Sequence, residues 1–307
     1  MNWPKGSTAS VIDFSSPRHR TKFGYLLMAP AVILMALIIV YPILLSVDIS
    51  LQDVRIARVG GASEPWTLAN YRWLATSAEF WNAVFVTIKL VAVVGGVSLA
   101  IGLGTALLVN QRFKGRSVAR LLVALPWAVP EVVAVVIWAW MLDSSFGIIN
   151  WALQVSGLLS APVEFASNAT AAFFAVSAVM IWKGYPFVSI MLLAGLQSIP
   201  EEHHQAAQVD GASTWQRFLY ITLPGLAPVI GVTMVMTTLW VFRDFAIIFV
   251  LTRGGPIGAT STLSILTWEQ SFGFFRMGQG AAVGVVTMII CALISRALVG
   301  RFAQSVH

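Results

Sequence analysis

Histidine and cysteine side chains, which often serve catalysis or bind metal ions, are few and scattered in this sequence. The histidines are His19, His203, His204 and His307, and the single cysteine is Cys291. No further ligands are spaced to complete a zinc site around the adjacent His203 and His204, and one cysteine cannot form a disulfide framework. The sequence also lacks a G-x-x-x-x-G-K-[ST] loop, which would bind nucleotide phosphates. We therefore expect no catalytic centre, metal site or cofactor in this chain.

Charged residues interrupt strongly apolar runs, and besides Lys89, which could reach an interface, four of them lie deeper or side by side. They are Glu131, Lys183 and the adjacent Arg243 and Asp244. An unpaired charge in hydrocarbon costs several kcal/mol, so such residues are functional candidates by default. Glu131 and Lys183 could pair with each other or take a direct part in a solute path, and the sequence leaves both alternatives open. Neighbouring residues on a helix point in different directions, so Arg243 and Asp244 each need a partner or a wet cavity.

Aromatic side chains surround these charges in the sequence. A solute pocket combines apolar and aromatic faces with a few polar groups, and these runs offer that mixture. The alternative interpretation is an aromatic belt at the membrane interface or ordinary helix packing. The residues that we predict to line a solute path are Glu131, Trp182, Lys183, Tyr185, Trp240, Phe242, Arg243, Asp244 and Phe245.

The composition indicates which elements position these residues. Of the 307 residues, 58% are hydrophobic and only 10% are charged. The mean hydropathy is +0.81. Soluble domains contain roughly 25% charged residues, so this chain could not cover a water-facing surface. We predict an all-α, multi-pass membrane protein.

Six apolar segments are long enough to cross a hydrocarbon core, which takes about 20 helical residues. They lie at 24–47, 81–110, 121–142, 171–196, 226–250 and 280–298. Residues 24–298 would then form the membrane domain, between tails at 1–23 and 299–307. Pro126 and Pro130 should kink the third span, because proline removes a helical hydrogen bond.

The distribution of lysine and arginine indicates the orientation of these spans. With both termini in the cytosol, the inner segments hold eleven of these residues and the outer segments hold five. The positive-inside rule favours that arrangement, which accounts for the net charge without nucleic acid. At 1.5 Å per residue, Glu131 then lies about 15 Å from the inner end of its span and Lys183 about 18 Å from the outer end of its span.

The most informative polar segment is the loop at 198–224, between the fourth and fifth spans. Ser198 followed by Glu201 fits a capping box, which predicts a helix from about Pro200 to Val209. Gly211 should end that helix, and a second short helix should begin at Ser213 or Thr214. Such a loop could insert into a groove on a partner, or it could lie on the lipid headgroups.

The loop resembles the EAA loop of binding-protein-dependent ABC importer permeases, whose pattern is E-A-A, three residues, G, nine residues and I-x-L-P. The matching residues are Ala206, Ala207, Gly211, Ile221, Leu223 and Pro224, and Asp210, Ala212, Phe218 and Pro228 extend the match. Gln205 replaces the motif glutamate, keeping its length but losing its charge. In that family the loop docks into a cleft on the ATPase subunit. The coupling residues that the resemblance implies are Glu201, Gln205, Ala206, Ala207, Asp210, Gly211, Ala212 and Phe218.

Other motifs resemble the carbohydrate-uptake branch of this family, which contains maltose and glycerol-phosphate permeases. They are Asn70-Tyr71, Leu125-Pro126, Gly147-x-x-Asn150, the runs 182–187 and 194–200, and the run 250–256 with Thr260. One departure is Ala246, where many relatives have aspartate. The resemblance implies alternating access for a sugar or sugar-like solute.

The resemblance also implies partners in the bacterial inner membrane and on both of its sides. These are a second, non-identical permease, two ATPase subunits that bind ATP and Mg²⁺, and an extracytoplasmic solute-binding protein. The alternative is a stand-alone secondary transporter or channel that uses the intramembrane charges for ion coupling. That alternative gives no reason for the two-helix loop at 198–224.

Overall fold

The computed structural model describes residues 17–55, 65–165 and 167–303. The predicted tails at 1–23 and 299–307 lie partly outside these ranges. All regular secondary structure in the described ranges is helical, which confirms the predicted all-α class. The α-helices are α1 (Pro17–Met35), α2 (Tyr41–Ser50), α3 (Ala69–Thr76), α4 (Ala78–Asn110), α5 (Arg116–Ala128), α6 (Glu131–Met141), α7 (Ile148–Val155), α8 (Ala169–Ser198), α9 (Glu201–Val209), α10 (Thr214–Arg217), α11 (Leu223–Arg243), α12 (Ala246–Leu251), α13 (Leu263–Trp268) and α14 (Met277–Ala303).

Three π-helical turns continue α-helices: the first joins α1 to α2, the second joins α10 to α11, and the third extends α13 and ends there. They are Ala36–Val40, Phe218–Thr222 and Glu269–Gly273. The chain divides into two units, one ending at Asp48 and the other beginning at Ile49. In the first unit, α1 continues through its π turn into α2. The second unit holds all the residues that the sequence singled out for function.

Five helical stretches are long and apolar enough to cross a membrane. They are Tyr25–Ser50, Ala78–Asn110, Ala169–Ser198, Thr214–Arg243 and Met277–Gly300. A sixth candidate is the pair α5 and α6, which together cover the predicted third span but meet at a bend of 93°. The sequence therefore located all six apolar stretches, and the structure shows one of them as two half-helices.

Proline explains the break between α5 and α6. Val129 has φ −69° and ψ 131°, and Pro130 has φ −56° and ψ 136°, so both residues are extended. The ring of Pro130 disfavours the helical conformation at the residue before it, which ends α5 at Ala128. Pro126 lies inside α5 and is buried. The predicted kink is thus concentrated at Pro130.

The fifth span differs from its prediction at its C-terminal end. The continuous helix ends at Arg243, whereas the apolar run suggested a helix to residue 250. Asp244 is extended, with φ −63° and ψ 122°, and its Oδ1 accepts the N–H of Ile247 in the first turn of α12. A hydropathy pattern does not register this break because the flanking residues on both sides are apolar.

The helices α4 and α8 pack closely through small residues. A Cβ added to Gly102 would lie 2.6 Å from Cγ1 of Val188, so only glycine permits this approach. One turn away, the Thr105 hydroxyl donates to Oγ of Ser189 at 2.9 Å. In lipid, such contacts replace the hydrophobic drive that holds soluble helices together.

Two buried asparagines fix the connections next to these helices. The Asn70 amide donates to the carbonyl oxygens of Ser50 and Gln52, at 2.9 Å each. The Asn150 amide donates to the Val163 carbonyl at 3.1 Å, and its oxygen accepts the Val163 N–H at 2.9 Å. Both asparagines belong to motifs of the family resemblance, and the structure gives them a supporting role.

Candidate functional site

The two-helix loop (residues 198–224) forms the first of two candidate regions. Its first helix, α9, spans Glu201–Val209, which confirms the prediction within one residue. The predicted capping box at Ser198 is wrong. Ser198 is the last residue of α8, and its hydroxyl donates back to the Gly195 carbonyl at 2.8 Å. Pro200 precedes α9 without a side-chain cap.

Gly211 turns the chain between α9 and α10. It has φ +81°, a left-handed conformation that side chains with a Cβ resist, and no heavy atom lies within 4 Å of the Cβ that another residue would add. Its conformation, not local crowding, therefore requires glycine. The predicted start of the second helix is confirmed, because the Ser213 hydroxyl accepts the Gln216 N–H and the Gln216 side chain accepts the Ser213 N–H.

Three apolar side chains of this loop are exposed. The exposed fraction is 88% for Val209, 66% for Trp215 and 76% for Tyr220. Trp215 stacks on Phe218, with ring centroids 5.4 Å apart, but most of its surface stays exposed. Among the predicted coupling residues, Glu201, Gln205, Ala206, Asp210 and Gly211 are exposed, and Ala207, Ala212 and Phe218 are half-buried.

A π turn joins this loop directly to the fifth span. The Leu223 N–H donates to the Phe218 carbonyl, five residues back. Pro224 has no N–H and would clash with the carbonyl four residues before it in a regular helix, and a widened turn relieves that conflict. Helical structure therefore runs without interruption from Thr214 to Arg243. The second helix of the loop is therefore continuous with the fifth span.

The second region is the charged cavity, a space of about 490 Å³ in the second unit of the chain. It brings together residues from α4, α5, α6, α8, α11 and α12. Its lining residues are Val94, Trp127, Glu131, Met180, Lys183, Gly184, Thr237, Trp240, Val241, Arg243, Asp244, Phe245, Ala246 and Ile247. Six predicted solute-path residues are thus gathered in one place, namely Glu131, Lys183, Trp240, Arg243, Asp244 and Phe245.

Three of the predicted solute-path residues lie elsewhere. Trp182 packs edge-on against Trp138, with ring centroids 5.7 Å apart. Phe242 is 5% exposed and belongs to a hydrophobic cluster. Tyr185 is half-buried and does not line the charged cavity. The sequence placed candidates on segments that line this cavity but could not tell which face of each helix points to it.

The structure answers the question of whether Lys183 and Glu131 pair. Lys183 donates to the carbonyl oxygens of Pro126 and Trp127, at 3.2 and 3.1 Å, and to that of Val129. Across the described residues, it forms no ion pair with Glu131. The interpretation of the two as a mutual ion pair is therefore wrong, and backbone carbonyls at the break in the third span take its place.

Helix ends favour both charges at this break. The ammonium group of Lys183 lies at the carboxyl end of α5, where the helix dipole is negative and carbonyl oxygens lack helical partners. Glu131 is the first residue of α6, where the dipole is positive and acidic side chains are favoured. Glu131 is exposed and faces the charged cavity. Each charge thus has a reason to be there that needs no ion pair.

Arg243 and Asp244 lie at the carboxyl end of α11, where they line the charged cavity. Arg243 is exposed, and its guanidinium makes no hydrogen bond or ion pair with the residues that the structure describes. One Asp244 oxygen is engaged by the Ile247 N–H at 3.2 Å. Trp240 is held by Phe187, with ring centroids 4.5 Å apart. The cavity therefore offers carboxylate acceptors, a guanidinium donor and indole faces.

Sequence reasoning missed Trp127 as a cavity residue. Its carbonyl accepts from Lys183, and its side chain lines the charged cavity. The available signal was its place between Pro126 and Pro130, since a broken helix exposes side chains that a regular helix would pack away. Its ring is also within 6.5 Å of the Phe187 ring, centroid to centroid.

Comparisons with known proteins agree on the class of this chain. The profile of the family described as binding-protein-dependent transport system inner membrane component matches residues 96–307. The trehalose/maltose transport system permease protein MalF of Thermococcus litoralis is 38% identical over 92% of this chain and 95% of that protein. The sulfoquinovosyl glycerol transport system permease protein SmoG of Agrobacterium fabrum is 35% identical over 85% of this chain and 84% of that protein.

A solved structure shares the fold. It is a bacterial ABC transporter that imports the acidic polysaccharide alginate, and it superposes with a TM-score of 0.76. The alignment covers 93% of this chain and 96% of that chain at 23% identity. The two chains therefore share a fold.

Proposed function

This chain belongs to the family of binding-protein-dependent transport system inner membrane components, and from that premise we propose that it forms half of the path for a sugar through an ATP-driven importer. The chain is a multi-pass permease of the inner membrane and is not itself an enzyme. ATP hydrolysis takes place on separate subunits. Uptake follows an alternating-access cycle that those subunits drive.

The charged cavity carries the proposal that the solute is a sugar. Trp127 and Trp240 offer flat apolar faces to the C–H surfaces of a sugar ring. Glu131, Arg243 and Asp244 offer acceptors and donors for hydroxyl groups. Two relatives are named as permeases for trehalose/maltose and for sulfoquinovosyl glycerol, which supports the same class of solute.

The two-helix loop is the proposed docking surface for an ATPase subunit. Val209 and Trp215 present apolar area that would be costly to leave in water, and the capping box keeps α10 formed. The π turn at Phe218–Thr222 joins this surface to the fifth span, whose outer end, Arg243, lines the charged cavity. Motion of the ATPase would thus reach the solute path through a single helical stretch.

The proposed assembly contains four other subunits. A second, similar permease completes the pore, two ATPase subunits bind the inner loops, and an extracytoplasmic solute-binding protein delivers the sugar. Both termini of this chain lie in the cytosol. The excess of lysine and arginine in the inner segments supports that orientation.

Reconstitution of the complete importer in proteoliposomes tests this function. Radiolabelled trehalose and maltose serve as probes, with glutamine as a control of another chemical class. We expect ATP-dependent accumulation of at least one of the sugars and none of glutamine. Uptake that follows an ion gradient without ATP would support a stand-alone secondary transporter and contradict the proposal.

A further inference from the structure

The break in the third span leaves backbone carbonyls that no helical N–H can satisfy. The last carbonyls of any helix lack intrahelical partners, and Pro130 contributes no N–H to replace them. In the hydrocarbon region such groups need partners within the protein, because no water is present to bind them. Broken helices therefore persist in membranes only where something else binds their free backbone groups.

Lys183 supplies those partners from another helix. Its ammonium group, on α8, donates to the carbonyl oxygens of Pro126, Trp127 and Val129. An ammonium group has three hydrogens, so three carbonyl oxygens account for all of them. In other transporters, backbone carbonyls at the unwound part of a broken helix coordinate a sodium ion or a proton. Here the convergent carbonyls are occupied by a cation that belongs to the chain.

We propose that Lys183 is a positioning residue that binds the carbonyls at the break and so sets the angle between α5 and α6. Trp127 precedes the break and Glu131 follows it, and both line the charged cavity. A change in the angle between the two half-helices moves these side chains relative to each other. The statement that Trp127 and Glu131 line a solute path rests on the proposed function. The statement that Lys183 sets the angle between α5 and α6 does not.

The alternative role for Lys183 is direct contact with solute. A lysine that bound solute would present donors to the cavity, whereas these donors are committed to the backbone. The two roles differ in what removal of the ammonium group does to the protein without solute. Loss of a positioning residue alters the bend between α5 and α6, and loss of a solute contact leaves the bend unchanged.

Distance measurements by double electron–electron resonance follow the bend directly. Spin labels are attached to Val118→Cys in α5 and Trp140→Cys in α6, where the native side chains are 60% and 65% exposed. Cys291→Ser removes the single native thiol. At a rise of 1.5 Å per residue, the labelled backbone positions lie about 23 Å apart across the 93° bend and about 33 Å apart if the span straightens.

The complete importer carrying Lys183→Met is compared with the Lys183 protein, without added solute. Methionine keeps most of the side-chain length but has no donor for the carbonyls. We expect the distance distribution to broaden and extend towards the longer value. Lys183→Arg, which keeps charge and donors, should retain most of the narrow distribution and shows that the labelled assembly tolerates a substitution at this position.

Lys89→Met is the matched control. This lysine is on the neighbouring helix α4, and its ammonium lies 4.0 Å from the centroid of the Phe173 ring instead of at the break. We expect the distance distribution of Lys89→Met to match that of the labelled importer in which both lysines are kept. A control that broadened equally would mean that any lost lysine loosens the bundle, which would contradict a specific role for Lys183.

A small cation should substitute for the missing ammonium group. In Lys183→Ala the three carbonyls face an empty space, which methylammonium can enter and donate to. We expect millimolar methylammonium to narrow the distribution again, and tetramethylammonium, which has no N–H, to leave it broad. An unchanged distance distribution in both Lys183→Met and Lys183→Ala would overturn the proposal. Equal effects of the two ammonium ions on the width of the distribution would overturn it as well. Neither outcome depends on whether the importer carries a sugar.

Discussion

The two-helix loop and the charged cavity differ in how far apart in sequence their interacting groups lie. In the loop, Ser213 and Gln216 cap each other across three residues. In the cavity, Lys183 binds carbonyls 54 to 57 residues away. Local bonds let the loop keep its shape while it exposes a surface to a partner. The cavity depends on the packing of several helices, so a change there affects the solute path and the stability of the bundle together.

The largest expected effect tests whether the two-helix loop and the carboxyl end of α6 lie on opposite sides of the membrane. A periplasmic reporter fused after Leu142, next to the outer end of α6, should be active. The same reporter fused after Val209, at the end of α9, should be inactive, because the loop is expected in the cytosol. Reporter activity in cells gives the answer, and the reverse pattern would place the two-helix loop on the wrong side for an ATPase.

The next effect concerns the turn of the loop at Gly211. Gly211→Asp adds a side chain at φ +81°, which costs roughly 1–2 kcal/mol in a left-handed conformation. We expect the protein to insert normally and to lose at least about tenfold in uptake, since 1.4 kcal/mol of lost coupling corresponds to a factor of ten. The measurements are uptake and ATPase activity of the reconstituted importer.

Gly157→Asp is the control for the effect of strain alone. Gly157 has φ +75° and, like Gly211, no heavy atom within 4 Å of an added Cβ. It follows α7, on the expected outer side of the membrane. We expect its uptake to stay close to that of the natural sequence. Equal losses in the two variants would mean that backbone strain, and not the docking surface, explains the effect at Gly211.

A smaller effect should separate Arg243 from Asp244 within the charged cavity. Arg243 has no bonded partner among the described residues, so Arg243→Ala should lower uptake about tenfold through a lost charge-assisted hydrogen bond to solute. The amount of intact complex should not change. Asp244→Ala also removes the acceptor for the Ile247 N–H. Like the loss of a helix cap, this should lower the free energy of unfolding by about 1 kcal/mol.

The two alanine variants are compared by uptake per assembled complex and by the yield of that complex. We expect Asp244→Ala to lower both quantities and Arg243→Ala to lower the first alone. Unchanged uptake in both variants would remove these residues from the solute path. A loss of yield in Arg243→Ala would show instead that its guanidinium has a structural partner on another subunit.

The contrast between the regions also explains what could be predicted from the sequence. The α9 helix, the turn at Gly211 and the start of α10 follow from residues a few positions apart, and all three were predicted. The Ser198 cap was wrong because α8 extends two residues further than expected, to Ser198, and the Ser198 hydroxyl bonds back into α8. The loop could be recognised in the sequence because its motif is short, local and spaced at fixed intervals.

The charged cavity could be predicted only as a set of candidates. Hydropathy located the spans but not the ends of helices inside them, so the stop at Arg243 was missed. The partners of Lys183 are backbone atoms, which carry no mark in the sequence. Trp182 and Trp127 are both tryptophans in apolar runs, yet only Trp127 lines the cavity, because that depends on helix rotation. Rotation is set by packing against distant residues.

The smallest effect concerns the packing that supports the charged cavity. Gly102→Ala places a Cβ 2.6 Å from the Val188 side chain and should destabilise the α4–α8 contact by about 1–3 kcal/mol. Gly104→Ala, in the same helix but with no atom within 4 Å, should be neutral or stabilising by up to about 1 kcal/mol. Thermal unfolding in detergent compares the two. Equal melting temperatures would contradict the close contact between these helices.

Photo-crosslinking tests most directly whether the two-helix loop is the ATPase docking surface. p-Benzoylphenylalanine replaces Val209 or Trp215, which are 88% and 66% exposed, and separately Trp151 in α7, which is 62% exposed. After irradiation of the complete importer, we expect crosslinks to an ATPase subunit from the two loop positions and none from position 151. Intact complexes without an ATPase crosslink from either loop position would contradict the account.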